Sequence, residues 1–168
     1  SSGVAGVALS PDGTRVMGGA ADLTAVKTWD LGLNGDAEWA NLPSSDFGGD
    51  DVDVSAEFLR DNRIVTTSGR ELTIWDVQRR QELRTIAPRA FGGIFALDVS
   101  PDGRAIAAGG GYPTGDRDYG GEAVGVWDAN TGQELFRVGH SLDVEAVAFS
   151  PDGEHIVSAG WGGSAKIV

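Results

Sequence analysis

The sequence predicts an all-β chain of four successive antiparallel sheets, each of four short strands, the last sheet incomplete. Three observations carry this. First, a turn motif recurs: Ser10-Pro11-Asp12-Gly13 returns as Ser100-Pro101-Asp102-Gly103 and Ser150-Pro151-Asp152-Gly153, with a degenerate copy at Leu59-Arg60-Asp61-Asn62. The starts at 10, 59, 100 and 150 are 49, 41 and 50 residues apart, and such self-similarity precedes any reading of single elements. Second, a Trp-Asp pair follows the first three copies, as Trp29-Asp30, Trp75-Asp76 and Trp127-Asp128. Third, apolar residues alternate before every turn, at Val7 and Leu9, Ala56 and Phe58, Leu97 and Val99, and Val147 and Phe149. A period of two marks a strand.

Each element follows in order. The turn suits Pro, which presets φ at its second position, and Gly, which accepts a backbone conformation other residues resist. Asn62 stands in for Gly in the weak copy and is among the next-best residues at positive φ. A second strand follows each turn, over Arg15–Met17, Ile64–Thr67, Ala105–Ala108 and Ile156–Ser158. A third carries the Trp-Asp, as in Leu72-Thr73-Ile74-Trp75-Asp76. A fourth follows a polar turn, with Asp76 to Leu83 and Asp128 to Leu135 at equal offset, the latter through the turn sequence Asn130-Thr131-Gly132. No sustained 3.6-residue apolar stripe is present, so almost no helix is expected.

Composition narrows the function. Apolar residues are 40% and charged residues 23%, as in globular proteins, and no apolar run reaches the roughly 18–20 residues that span a membrane. Ser1-Ser2-Gly3 begins no signal peptide, and the lack of a starting Met reads as an excised or processed piece. The absence of Cys removes disulfides, thiolate catalysis and Cys-based zinc sites, and fits a cytoplasmic protein. With 25 acidic against 13 basic residues the net charge is -12, which repels nucleic-acid phosphates and anionic membranes. The expected partner is a protein or peptide, and the charge suits a basic one.

The repeated turns, the Trp-Asp pairs in phase and the Gly139-His140 pair before the fourth copy resemble the WD-repeat (WD40) family across essentially the whole chain. The resemblance implies a partial β-propeller of about four blades, with repeats at about 4–42, 52–87, 94–138 and 144–168. In the family a His, a Ser or Thr, an Asp and the Trp form a buried hydrogen-bonded set. No repeat here has all four: the fourth has His140 and Ser158, the first Asp22 and Trp29, the second Thr66 and Trp75. Stability is therefore expected to rest on apolar packing between blades, each largely buried Trp contributing about 2–3 kcal/mol. A seven-blade ring would need about 300 residues, so the chain describes about half a ring: the expectation is a fragment of a larger chain, with half of a dimeric ring or a small four-blade ring with one defective blade as alternatives, and an exposed half-ring would show apolar blade faces open to self-association. Ala37 to Asn41 also resembles the propeller regions of large bacterial regulators and signalling ATPases.

The resemblance implies a non-catalytic protein-interaction scaffold, here within a larger signalling or regulatory protein. It places the second-to-third strand loops and the blade connections on one face, the top. Two long loops fall there: Pro43–Asp51, with Asp46, Phe47, Asp50 and Asp51, and Gly109–Glu122, with Tyr112, Asp116, Arg117, Asp118 and Tyr119. Trp161 sits in a third top loop, beside glycines that can hardly bury it. Long loops on a rigid frame carry function, and Tyr, Trp and Arg are enriched at interface hot spots. These residues are the expected partner-binding set. The expected structural motif is Trp29, Asp30, Trp75, Asp76, Trp127, Asp128, His140 and Ser158.

Other chemistry finds little footing. His140 matches the family's structural His, and His155 sits where Arg15 and Ala105 stand in other repeats, an exposed position. No Gly-x-Ser-x-Gly motif occurs. Gly109-Gly110-Gly111 fits no phosphate-binding fingerprint and reads as a flexible loop. Asp116 begins like a calcium loop, but Gly120 and Trp127 stand at its fifth and twelfth positions. The expectation is no catalytic residue, no metal and no cofactor. The alternatives are a small-ligand or metal sensor using the acidic top loops, including Asp50, Asp51 and Asp53, and a propeller-type hydrolase.

Overall fold

The computed structural model describes residues 4–20, 26–31, 55–88, 91–111, 122–140 and 142–168. Fourteen strands form four antiparallel sheets among them. Blade 1 holds β1 (Val4–Leu9), β2 (Arg15–Ala20) and β3 (Val26–Asp30). Blade 2 holds β4 (Ala56–Phe58), β5 (Arg63–Ser68), β6 (Glu71–Asp76) and β7 (Gln81–Ile86). Blade 3 holds β8 (Gly93–Val99), β9 (Ala105–Gly111), β10 (Glu122–Asp128) and β11 (Glu134–Gly139). Blade 4 holds β12 (Val144–Phe149), β13 (Ile156–Gly160) and β14 (Ser164–Ile167). The strands of each sheet neighbour one another in chain order. The fourth strand expected in the first repeat lies outside the described residues, and the helical content among those described is one 3-10 turn at Trp161–Gly163.

The turns form as their residues dictate. Asp12 Oδ1 accepts from Ser10 Oγ (2.6 Å), Thr14 N and Thr14 Oγ1, and Gly13 lies at φ 69°. Asp102 and Asp152 repeat the bond from their own Ser, with Gly103 and Gly153 again at positive φ. In the weak copy Asp61 and Asn62 both adopt positive φ, and Leu59 N reaches Arg63 O across a turn one residue shorter. Asp and Asn tolerate this region better than other side chains.

Blade faces pack on blade faces. Between blades 1 and 2, Met17 meets Phe58, Ile64 and Trp75. Between blades 2 and 3, Val65, Leu72 and Ile74 meet Ile94, Ile106 and Trp127. Between blades 3 and 4, Ala107, Val124 and Val126 meet Val144, Val147 and Ile156. Polar bonds pin the same seams. Ile94 N donates to Gly69 O (2.8 Å), Arg63 Nη1 to Ala129 O (3.2 Å) and Phe149 N to Asp98 Oδ2 (2.6 Å).

One expectation is corrected here. Gly109, Gly110 and Gly111 are not loop: they continue β9 and are buried. A Cβ on Gly110 would lie 1.9 Å from Gly93 O, and one on Gly109 would lie 2.6 Å from Val144 Cγ1. The glycines are strand residues kept bare so that β8 and blade 4 can close in.

Gly125 plays the same part beneath an aromatic ring, since its Cβ would fall 2.3 Å from the indole of the buried Trp127. Gly125→Ala should therefore lower unfolding stability by about 1–3 kcal/mol, the usual cost of overpacking, measured by urea denaturation.

Candidate functional site

The third strands of blades 1 to 3 end on Trp-Asp, and the two residues do separate work. Trp75 is buried, and its indole Nε1 donates to Thr66 Oγ1 at 2.9 Å, joining β6 to β5. Asp76 faces the next turn: Oδ1 accepts from Arg79 N (2.8 Å) and Oδ2 pairs with Arg79 Nη1 (2.7 Å). Asp128 accepts from Asn130 N, Thr131 N and Thr131 Oγ1. Hydrogen bonds, led by those of Arg79 N and Thr131 N, hold both carboxyls below the usual carboxylate range. In blade 3, Ala108 stands where blade 2 has Thr66, and Trp127 packs edge-on against Phe91 with ring centres 6.1 Å apart. Trp29 is half-buried, and the side chain of Asp30 lies outside what the structure describes.

In blade 4 the structure brings His140 and Ser158 together, both buried, with His140 Nε2 2.7 Å from Ser158 Oγ. Burial, then the nearby Lys166 ammonium, pushes the His140 imidazole below its ordinary value. Val168 exchanges backbone bonds with Ile156, so it stands where Trp75 stands opposite Ile64.

Of the expected partner-binding residues, Asp46, Phe47, Asp50, Asp51, Tyr112, Asp116, Arg117, Asp118 and Tyr119 lie outside the described residues. Trp161 is described, and it is 63% exposed. It sits in the 3-10 turn between β13 and β14, where Gly162 and Gly163 adopt φ of 80° and 74°. Its backbone N donates to Asp143 O (2.9 Å), and Leu142 packs beneath Gly162. The turn is thus fixed to the entry of β12 while the indole stands out.

Asp143 leads to a residue the sequence reading missed. A Cβ on Gly111 would lie 3.0 Å from Asp143 Oδ1 and 2.8 Å from the ring of Phe95. Phe95 and Asp143 therefore flank Gly111, and Asp143 also holds the Trp161 backbone, at one end of blades 3 and 4, the end carrying the second-to-third strand turns. Phe95 is exposed because the β8–β9 register slips between Ile94 and Ala96. Glu145 occupies the same kind of slip between Val144 and Ala146, and it too is exposed. A bulge re-aims the side chain at the extra position. The sequence carried no signal of this, since Phe95 falls in phase with Leu97 and Val99 and reads as one more residue of their face.

At the inner edge, where the first strands of successive blades adjoin, half-buried Glu57 on β4 lies near Asp98 on β8. Burial, then the Asp98 charge, raises the Glu57 carboxyl to about 7. Among the described residues no group of three or more His, Asp or Glu is placed to hold a metal ion, and no helix is long and apolar enough to cross a membrane.

Four antiparallel sheets packed face to face in chain order, with Trp-Asp closing the third strand of blades 1 to 3, define a protein built from propeller blades. The family model for the WD domain, G-beta repeat, matches residues 132–168, from the last turn of blade 3 through blade 4. A serine-threonine kinase receptor-associated protein of Dictyostelium discoideum is 33% identical over 68% of this chain and 36% of its own length. The telomerase protein component 1 of Mus musculus is 29% identical over 98% of this chain and 6% of its own. The transcription initiation factor TFIID subunit 5 of Caenorhabditis elegans is 30% identical over 90% of this chain and 21% of its own. The chain is a member of the WD40-repeat family, and it spans little more than a third of these relatives at most. They are eukaryotic proteins, and the bacterial regulatory setting drawn from Ala37 to Asn41 finds no support among them.

Two pH responses follow, of opposite sign. The depressed His140 lets the unfolded chain take up a proton first, so its contribution is full above about pH 6.5 and is lost as pH falls below it. In thermal melts between pH 5 and 8, the difference between His140→Gln and wild type should shrink toward the acid end. The raised Glu57 stabilises below its ordinary value and loses that contribution as pH rises to about 7. Glu57→Gln should leave Tm unchanged at acid pH and raise it by about 2–4 °C at pH 8, a modest gain because the group is partly solvated.

Proposed function

We propose that this chain is a non-catalytic docking module that holds a protein or peptide partner on its top face. The observation that carries the reading is Trp161, a large aromatic held out on a turn whose backbone is fixed to Asp143. An exposed Trp on a rigid support adds contact area at small entropic cost, the character of an interface hot spot. Phe95 and Asp143 both flank Gly111 at the same end of the blades, and Asp143 and Glu145 lend the surface negative charge. The acidic net charge of -12 steers a basic partner toward such a face. Tyr112 and Tyr119, from the segment between β9 and β10, are assigned to the same surface together with Asp116, Arg117 and Asp118. Asp46, Phe47, Asp50 and Asp51 are assigned to its blade 1–2 side. WD-repeat relatives support a scaffold role, and the named assemblies of those relatives are theirs.

Replacing Phe95, Tyr112, Tyr119 and Trp161 together by Ala should abolish capture of a partner that wild type retains in affinity purification. Replacing the exposed Leu83 and Leu135 of the outer strands should leave capture intact. Capture surviving the first set, with the chain folded, would sink the assignment.

A further inference from the structure

The turns between first and second strands lean on one another from blade to blade. A Cβ on Gly153 would lie 3.5 Å from Pro101 Cδ, so the second residue of the blade 3 turn covers the glycine of the blade 4 turn. One seam earlier, Arg60 takes the place of that Pro. A Cβ on Gly103 would lie 2.5 Å from Arg60 Cγ and 2.8 Å from Arg60 N, so the arginine stem lies across the blade 3 turn. Its charge reaches Asp102, the carboxylate of that turn.

The turns of blades 1 and 2 do not close in this way. Asn62 stands where the other turns carry Gly, and its Oδ1 accepts from Arg15 Nη1 at 3.1 Å. The blade 2 turn is also the shorter one. Among the described residues a cavity of about 190 Å³ lies between these two turns. Buried Phe58 and Leu59 line it with Pro11, and Asp12 and Asp61 add carboxylates. Leu59 occupies the Ser position of the motif, so Asp61 lacks the bond that Asp12, Asp102 and Asp152 each take from their own Ser. Arg60 borders the cavity, but its stem runs to the next seam.

We propose that this cavity receives an arginine side chain of a partner protein, its stem on Pro11, Phe58 and Leu59 and its guanidinium on Asp61 and Asp12. The volume falls below the roughly 300–1,000 Å³ of small-molecule pockets and suits a single side chain. An apolar floor with carboxylates beside it matches a side chain with an apolar stem and a cationic end. A guanidinium serves better than an ammonium, because its planar fork bonds carboxylate oxygens through two donors and gives up water more readily. The chain itself supplies the precedent. At the next seam Arg60 lies over one turn and reaches the turn carboxylate, and Pro11 leaves the corresponding place without an arginine. The site lies at the opposite end of the strands from Trp161, so it stands apart from the top-face reading.

The test is titration of the full 168-residue chain with a capped Gly-Gly-Arg-Gly-Gly peptide, followed through backbone amide signals in two-dimensional NMR. The signals of Asp12, Leu59, Asp61 and Asn62 should move saturably, and those of Ser150 to Gly153 should stay in place. Asp61→Asn should weaken binding about tenfold, the loss of a charge-assisted pair. Asn tolerates the φ of 62° at this position, so the variant keeps the turn, and its dispersed spectrum checks that it is folded. A peptide with Lys in place of Arg should bind more weakly, and one with the uncharged citrulline should not bind. Pro11→Arg supplies the side chain from within and should block the peptide. Glu154→Gln, which removes an exposed carboxylate from the blade 4 turn, should bind like wild type. The proposal is overturned by absent or unsaturable binding, by shifts spread over the acidic surface, or by a lysine or citrulline peptide that binds equally well. Undiminished binding to Asp61→Asn or Pro11→Arg overturns it too.

Discussion

The packing of one blade's Trp-bearing face on its neighbour is the interaction on which the rest of this structure depends. A sheet of three or four short strands cannot bury both faces by itself, so each blade is stable only between others. The seams here are almost wholly apolar, centred on Ile64 with Trp75, Ile106 with Trp127, and Ile156 with Val147. Polar bonds add direction more than strength. Ile94 to Gly69 and Phe149 to Asp98 each join neighbouring blades and contribute on the order of 1 kcal/mol. The buried Trp75–Thr66 pair fixes strand against strand within blade 2, and His140–Ser158 ties the connection between blades 3 and 4 to β13.

That division explains what the sequence revealed. Turn residues answer to local rules, so Ser10-Pro11-Asp12-Gly13 and its copies announce both position and conformation. Trp-Asp is legible because one residue must be buried and the next must close a turn, and only that order serves both. The alternation at Leu97 and Val99 marks a strand, but it does not say which neighbour covers it. Val7 and Leu9 show the same alternation as their buried counterparts and lie open, because burial belongs to the next blade and not to the strand.

The misreadings have a physical source as well. Gly109-Gly110-Gly111 looks like a loop by composition, since glycine weakens strands. Its place in β9 follows from the close approach of Gly93 and Val144, contacts distant in sequence that composition cannot report. Phe95 was passed over because a bulge is a property of the pairing between β8 and β9, and neither strand alone displays it. Thr66 and Ser158, by contrast, were readable as partners of Trp75 and His140 because the repeat supplies the register.

The frame also limits where recognition can occur. In the middle strands of blades 2 and 3 most residues are committed to seams, and at the end of the blades that carries the second-to-third strand turns, large side chains emerge where the ladder slips or the chain turns. Phe95 and Glu145 sit at slips at the start of β8 and β12, and Trp161 sits at the turn between β13 and β14. These exits lie near one another because the slips recur near the same end of β1, β8 and β12, beside the second-to-third strand turns. A partner meeting that end would touch side chains that contribute nothing to the core. Substitution there can alter recognition without loosening a seam, whereas a change at Ile106 or Trp127 does the reverse. The repeat that makes the blades interchangeable in packing thus leaves one surface on which they can differ.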